Sequence, residues 1–447
     1  MEDKKLYIET WGCQLNYHRS EKIAGHLNHY EYSTVEKIDK ADLIVFNTCA
    51  VRGKSEEKVR GRIGQIKEKR KQNSLLGVGG CMAQHLGQNL FDGSSGIDFV
   101  FGTSNLRDIP ELAERAAQEG PTASVSAPDG FENLPVLRKS DYFAWVTIAE
   151  GCSNACSYCI VPHVRGNLRS RSSERIIEEV EELVEDGYKE IQLLGQNVNA
   201  FGKDLADEKT NFAWLLEGIA DTGIPRISFT TPHPADMDPE TMAVIDENKN
   251  IVRHVHLPLQ SGSNKVLNIM NRNYTREEYL ELIEEIRGVD PLINVTTDII
   301  VGHPGETREE FRETLDIIKR VKFGSIYVAR FSPRPDTKSA TMEDHVSREE
   351  KQRRLQLVLD KQKEYSREYD RHFIGETTEV LVEGPAREKN SLYGKNEFGR
   401  TITFEGNEKT VGEFIEVVVE EENHGRLKIT DEGSVKDDTD NYVKSSL

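Results

Sequence analysis

No run of 18 apolar residues occurs in the 447-residue chain, so the sequence offers no helix able to span a bilayer. Its start, MEDKKLYIETWG, lacks the apolar h-region of a secretory signal, and a cytoplasmic location with no membrane partner is the expectation. Low-complexity tracts and internal repeats are missing, which excludes a solenoid or a disordered scaffold. Positive charge is short: 58 Lys and Arg stand against 77 Asp and Glu, a net charge of -19 that repels a polyanion at long range. Cysteine is scarce. The six present are Cys13, Cys49, Cys81, Cys152, Cys156 and Cys159, and in a reducing compartment they serve metals or catalysis more readily than disulfides.

What is there reads as an α/β protein of about three domains, by the length prior of roughly 150 residues each. Residues 1–118 alternate short apolar strands (KKLYIET, ADLIVFNT, SLLGVGG, IDFVFG) with helical patterns, the signature of an open parallel sheet with helices on its faces. Residues 119–140 lose the periodicity, collect Pro, Gly and Ser, and read as a linker. Over 141–372 the alternation resumes for six rounds, predicting a partial (β/α)6 barrel with its chemistry at the C-terminal strand ends. Short strands with turn signals over 373–435 predict a small β-barrel, followed by a polar tail at 436–447.

Cys152, Cys156 and Cys159 share one tight stretch, GCSNACSYC, directly after the first barrel strand. A zinc site wants four ligands, usually in paired CxxC groups; His163 is a candidate fourth, although its spacing is unlike that of zinc fingers. A [4Fe-4S] cluster held by three thiolates, with one iron left open for a substrate, suits the spacing better. CxxxCxxC at this point of a βα barrel resembles the radical S-adenosylmethionine (SAM) superfamily, in which SAM occupies the open iron. Strand-end residues Gly195, Gln196, Ser228, Thr230, His233, Gln260 and Arg330, with Tyr158 inside the motif, are candidate SAM contacts.

Cys13, Cys49 and Cys81 each lie at or just past the C-terminal end of a predicted N-terminal strand, in the turns WGCQLN, NTCAVRG and GGCMAQ. In open α/β sheets that edge binds ligands, so the three can converge on a second three-thiolate site. ETWGCQLNYHRSEKIAG, NTCAVRGKSEEKV, GCSNACSYCIVPHVRGNLRSR, LLGQNVNAFG, HLPLQSGSNKVLNIMNRNYTREEY, TDIIVGHPGET and RFSPRPDTKSATM together resemble the methylthiotransferase family over nearly the whole chain. The resemblance implies an N-terminal cluster-binding domain, a radical-SAM barrel and a C-terminal TRAM β-barrel. It implies two [4Fe-4S] clusters, one on each cysteine trio, together with SAM. GCQLN and LLGQNVN look most like the branch that methylthiolates an isopentenyl-modified adenosine beside the tRNA anticodon. Sibling activities on a threonylcarbamoyl-modified adenosine or on a ribosomal-protein aspartate share both trios, and a non-catalytic iron-sulfur RNA-binding protein is a reading of another class.

Residues 52–71 carry nine Lys or Arg against three Glu, opposite in sign to the whole chain and directly after Cys49. Phosphate contacts to a tRNA anticodon arm are expected there from Arg52, Lys58, Arg60 and Arg62, extended by Arg165 and Arg169 beside the other trio. Residues 373–434 are acidic, with seven Lys or Arg against fourteen Asp or Glu, so RNA contact there is expected only from a patch around Arg387, Lys389, Lys395 and Arg400 with Tyr393 or Phe398. A monomer fed by an electron donor such as flavodoxin or ferredoxin completes the expectation; the sulfur donor is unspecified, and no side-chain acid or base stands out.

Overall fold

The computed structural model describes residues 4–50, 53–92, 96–128, 133–207, 209–388, 390–422, 427–428 and 435–436. Arg52 and Lys389 lie outside these residues, and so does most of the polar tail.

Six parallel strands form the N-terminal sheet: β1 (Lys4–Thr10), β2 (Tyr32–Thr34), β3 (Leu43–Thr48), β4 (Leu75–Gly80), β5 (Phe99–Phe101) and β6 (Thr122–Ser124). Their order is β2-β1-β3-β4-β5-β6, so the chain reverses direction across the sheet between β1 and β3. β6 falls inside the stretch expected to be a linker, because its backbone completes a ladder on the open edge of β5. Both faces of the sheet are covered. Ile44 and Phe46 of β3 pack with Val59 and Ile63 of α2 (Gly53–Ile66), while Leu43 and Val45 face Ile23 and Leu27 of α1 (Gln14–Asn28). That two-sided burial is why these strands read as continuous apolar runs and not as alternations. The remaining N-terminal helices are α3 (Cys81–Leu86) and α4 (Ile109–Glu119).

The barrel uses all six strands expected from the sequence. After β7 (Phe143–Thr147), a two-residue hairpin, β8 (Ala149–Glu150) with β9 (Arg169–Ser170), brackets the clustered cysteines and the short α5 (Val161–Arg165). Then come α6 (Ser173–Glu185), β10 (Glu190–Leu194), α7 (Phe212–Ala220), β11 (Arg226–Phe229), α8 (Pro239–Glu247), β12 (His254–His256), α9 (Asn264–Ile269), α10 (Arg276–Val289), β13 (Asn294–Val301), α11 (Arg308–Val321), β14 (Ser325–Arg330) and α12 (Arg348–Asp370). The strands form two parallel three-stranded sheets, β11-β10-β7 and β12-β13-β14, joined by one bridge between Ile227 and Ile251. Capping boxes, Thr275 with Glu278 and Thr307 with Glu310, fix where α10 and α11 begin. Alternate strand residues, such as Ile191, Leu193, Ile227, Val255 and Ile299, pack outward against the helices in one large core.

The C-terminal strands are β15 (Thr377–Pro385), β16 (Ser391–Asn396), β17 (Thr401–Glu405), β18 (Phe414–Val418), β19 (Glu421–Glu422), β20 (Leu427–Lys428) and β21 (Val435–Lys436). Their order, β19-β20-β17-β16-β15-β18-β21, leaves β19 and β21 at opposite edges, so among the described residues the sheet forms half a barrel. The β16–β17 turn sits against the N-terminal end of the larger barrel: Arg226 donates to Lys395 O at 2.8 Å, Asn294 to Phe398 O at 2.8 Å, and Glu397 O accepts from Arg253 N at 2.7 Å. This use of the turn corrects the expected RNA patch. Arg400 is buried in a two-pronged pair with Asp370, both bonds 2.7 Å; Phe398 packs on Phe373; and Lys395 is paired with Glu383 at 2.8 Å. Arg387 alone of the described basic residues in that patch stays exposed without a role in the docking. Among the described residues no helix is long and apolar enough to cross a membrane.

Candidate active site

The N-terminal trio forms at the reversal point of its sheet. The register aligns Thr10 with Asn47 and Thr48 with Gly80, which puts the residues leaving β1, β3 and β4 side by side. Cys13 caps α1, Cys49 follows β3, and Cys81 opens α3. Gly12 shows how close they are: at φ +128° it presses on Cys49, and a Cβ there would stand 3.0 Å from Cys49 Cβ and 2.7 Å from Asn16 Nδ2. Gly80 likewise leaves no room beside the Thr48 carbonyl, 2.4 Å from where its Cβ would be. Asn16 ties the turns together, donating to Trp11 O at 2.7 Å and Thr48 O at 3.0 Å. Cys49 and Cys81 are buried and Cys13 is exposed, so the trio opens toward one side.

The second trio lies on the loop between β8 and α5. Gly151 starts it at φ +77°, where a Cβ would stand only 1.9 Å from Asn167 O, and Gln196 accepts a bond from its amide. Asn271 holds Ala155 O at 2.8 Å, and Ser157 N reaches Met270 O at 2.9 Å. Arg272, which sequence reasoning did not single out, is the most informative neighbour. It is buried, lies over the Tyr274 ring, and donates to Cys156 Sγ at 3.4 Å and Pro258 O at 3.0 Å. Burial pushes the Cys159 thiol up to about 12 and raises Cys152 as well, so metal binding must displace protons from this loop.

Among the described residues no three Cys, His, Asp or Glu side chains converge as the ligands of one metal ion. His163, the candidate fourth zinc ligand, is exposed on α5. Thiolates around a four-iron cube stand further apart than the ligands of a single ion, and both trios offer sulfur with N–H donors beside it, the donor set such a cluster takes.

The other expected SAM contacts divide by depth. Gly195, Gln196, Thr230, His233, Gln260 and Arg330 lie at the C-terminal rim of the barrel, but Ser228 lies below it, bonded to Glu190 at 3.0 Å and Ile191 O at 3.2 Å. Thr231 Oγ1 donates to Gly195 O at 2.8 Å, and His233 exchanges two bonds with Asn199. The His233 ring meets Tyr274 at 5.8 Å, and burial together with Arg272 holds it neutral, well below the usual imidazole range. Tyr158 stands edge-on to His303 at 6.4 Å. His233, Tyr274, Arg272 and Cys156 thus form one connected wall.

The modules that carry the two trios pack together. Helix α1 lays a polar flank on the barrel: His18 meets Thr147 at 2.8 Å and Arg19 meets Glu150 at 2.6 Å. Cys81 packs with Ala50, Ile160 and Val164 in a small apolar cluster, and Ile160 directly follows Cys159. Arg165 spans the remaining gap. Only 2% exposed, it donates Nε to Cys81 Sγ at 3.2 Å and Nη2 to Asn16 at 2.7 Å, so its guanidinium faces the trio and not a phosphate. Arg169 also turns inward, to Pro128 O at 2.8 Å. Of the basic helix, Lys58 and Arg60 are exposed and Arg62 pairs with Glu9 at 2.9 Å.

Three family descriptions match in order: "Uncharacterized protein family UPF0004" over residues 5–102, "Radical SAM superfamily" over 146–318, and "TRAM domain" over 371–428. Curated relatives named tRNA-2-methylthio-N(6)-dimethylallyladenosine synthase match almost end to end. The one from Carboxydothermus hydrogenoformans is 42% identical, covering 94% of this chain and 98% of its own. That from Geobacter sulfurreducens is 42% identical, covering 97% and 100%. The chain belongs to the tRNA-2-methylthio-N(6)-dimethylallyladenosine synthase family. Among solved structures, this synthase-family chain shares its fold with the radical SAM methyltransferase TsrM from Kitasatospora setae, at TM-score 0.55 and 14% identity over 76% of this chain and 75% of that one. It also shares its fold with the cobalamin-dependent radical enzyme OxsB, at TM-score 0.51 and 13% identity over 82% and 56%.

Proposed function

We propose that this chain is a radical SAM transferase that converts N6-isopentenyladenosine next to the tRNA anticodon, position 37, to its 2-methylthio derivative. Membership of the family brings SAM and a [4Fe-4S] cluster, which we assign to Cys152, Cys156 and Cys159. A second cluster is assigned to Cys13, Cys49 and Cys81. We further assign modules divided near residues 118, 141 and 373, a monomeric state, and a flavodoxin or ferredoxin as electron donor. The observation that supports the reading is that each three-cysteine stretch has one buried arginine donating to a cysteine sulfur, Arg272 to Cys156 and Arg165 to Cys81, the latter across the contact between the two modules.

Cys152, Cys156 and Cys159 would hold the cluster, and bound SAM would supply the radical chemistry that removes hydrogen from adenine C2. The chain's own work is placement. Cys152, Cys156 and Cys159 hold one site open toward the barrel mouth, while α1, through Arg19 and His18, fixes the second site against it. A substrate carbon serving both sites would need them held in one arrangement, and these bonds between the modules supply such a brace. Arg272 and Tyr274 form the wall that excludes water beside Cys156. Exposed Lys58 and Arg60 offer phosphate contacts to an anticodon arm, whose loop adenine costs little to unstack. Mass spectrometry of tRNA nucleosides tests the assignment. Deleting the gene should abolish 2-methylthio-isopentenyladenosine and leave isopentenyladenosine in its place; persistence of the methylthio form overturns it.

A further inference from the structure

The buried guanidinium of Arg165 has one feature that the assigned reaction leaves unexplained. It belongs to α5, on the barrel side, yet its hydrogen bonds go to the N-terminal site: Cys81 Sγ at 3.2 Å and Asn16 Oδ1 at 2.7 Å. Among the described residues the buried Nη1 has no partner, so the side chain keeps donor capacity that these residues do not use. After desolvation, which opposes its charge, Cys81, then the Glu150 carboxylate, then Cys13 interact most strongly with it. Asn16 in turn braces the backbone at Trp11 and Thr48, beside the turns that carry Cys13 and Cys49. Removing a full positive charge from water to this depth is costly and persists only where negative charge repays it.

We propose that Arg165 is a positioning residue for the iron-sulfur site at Cys13, Cys49 and Cys81: it fixes the Cys81 thiolate and sets the reduction potential of that site from the opposite module. The inference rests on the assignment of a second cluster to this trio. A cation hydrogen-bonded to a cluster thiolate favours the state with one more electron, so its loss makes reduction harder. No bond is made or broken by Arg165; the electron comes from the external donor and stays on the cluster. Because the arginine follows the other cysteine loop by only six residues after Cys159, movement of that loop on SAM binding would be felt at Cys81.

The test is a redox titration of the full reconstituted chain followed by electron paramagnetic resonance, with the second-site signal assigned by its loss in Cys13→Ala. In Arg165→Gln the second-site potential should move negative by on the order of tenfold in the reduction equilibrium, about 59 mV for one electron. Arg165→Lys, which keeps the charge without the fork, should fall between this and the parent. Selective loss of second-site iron from Arg165→Gln, with the first cluster and the melting temperature retained, also supports the role. An unchanged potential with full iron overturns it, and so does loss of both clusters in both variants, which is what a merely structural residue would give. A parent chain that binds only one cluster defeats the two-cluster assignment, a result distinguishable from these.

Discussion

Arg19 of α1 donates to Glu150, two residues before Cys152, at 2.6 Å with both side chains less than a tenth exposed. This pair joins the N-terminal sheet to the barrel at the level of the two cysteine trios. Glu150 is held below the usual carboxylate range against burial by Arg19, Arg165, Lys22 and Arg169. One carboxylate therefore answers four cations.

Glu150→Gln is expected to destabilise the chain by about 3–5 kcal/mol, because it leaves those cations facing one another in a buried space. Arg19→Met should cost less, since three cations still compensate the carboxylate. Urea unfolding of both variants checks the order; equal effects, or a Glu150→Gln effect below about 1 kcal/mol, would contradict the shared role.

Arg400→Met should unseat the C-terminal sheet, because it strands the fully buried Asp370 without its two-pronged partner. A loss of about 3–5 kcal/mol is expected for breaking such a pair. Arg400→Lys should rescue it poorly, having no fork to match both oxygens. Hydrogen exchange is the readout: amides of β15 to β18 should lose protection while those of β10 and β13 keep theirs.

Acid should loosen the same junction. His254 is half-buried under the β16–β17 turn, and desolvation there, with His256, Arg400 and Lys395, pushes it down to about 3. Its unfolded value is about 6.5. Above that value both states are neutral and the folded chain has its full stability. Below it the unfolded state takes a proton the folded state refuses, and stability falls by up to about 1.4 kcal/mol per pH unit until pH nears the folded value. Melting temperature against pH should show a slope below pH 6.5 that is shallower by one proton in His254→Asn; parallel curves would refute the assignment.

Gly12→Ala is expected to cost iron before stability. Its Cβ would press on Cys49 Cβ and Asn16 Nδ2 at a backbone angle that alanine resists. On the proposed assignment of two clusters, iron analysis of the purified chain should fall from about eight atoms toward four, with the melting temperature little changed. Full iron loading would show that the turn tolerates the side chain.

Much of this protein is legible in one dimension. The alternation of apolar strands and helices gave all six barrel strands and all but two of the N-terminal ones, because a parallel sheet buried on both faces leaves continuous apolar runs. The missed β2 and β6 are three-residue edge strands with too few side chains to show a period. The places of Cys13, Cys49 and Cys81 at strand ends, expected from the sequence, are where the structure puts them, a consequence of where parallel sheets leave backbone groups exposed. Basic residues misled where sign alone was used: Arg165, Arg169 and Arg400 are positive in sequence but are consumed by internal acceptors in the fold.

The amino-acid order by itself determined the element types, the two cysteine trios and the family, since these depend on local pattern and on side-chain chemistry. Only the tertiary structure decided that Arg165 reaches across the module contact to Cys81, that Arg272 donates to Cys156, and that an acidic C-terminal sheet closes the foot of the barrel through its β16–β17 turn. Those outcomes join residues far apart in the chain, Arg19 with Glu150 and Arg226 with Lys395, and a charge shows no partner until packing has removed the water around it.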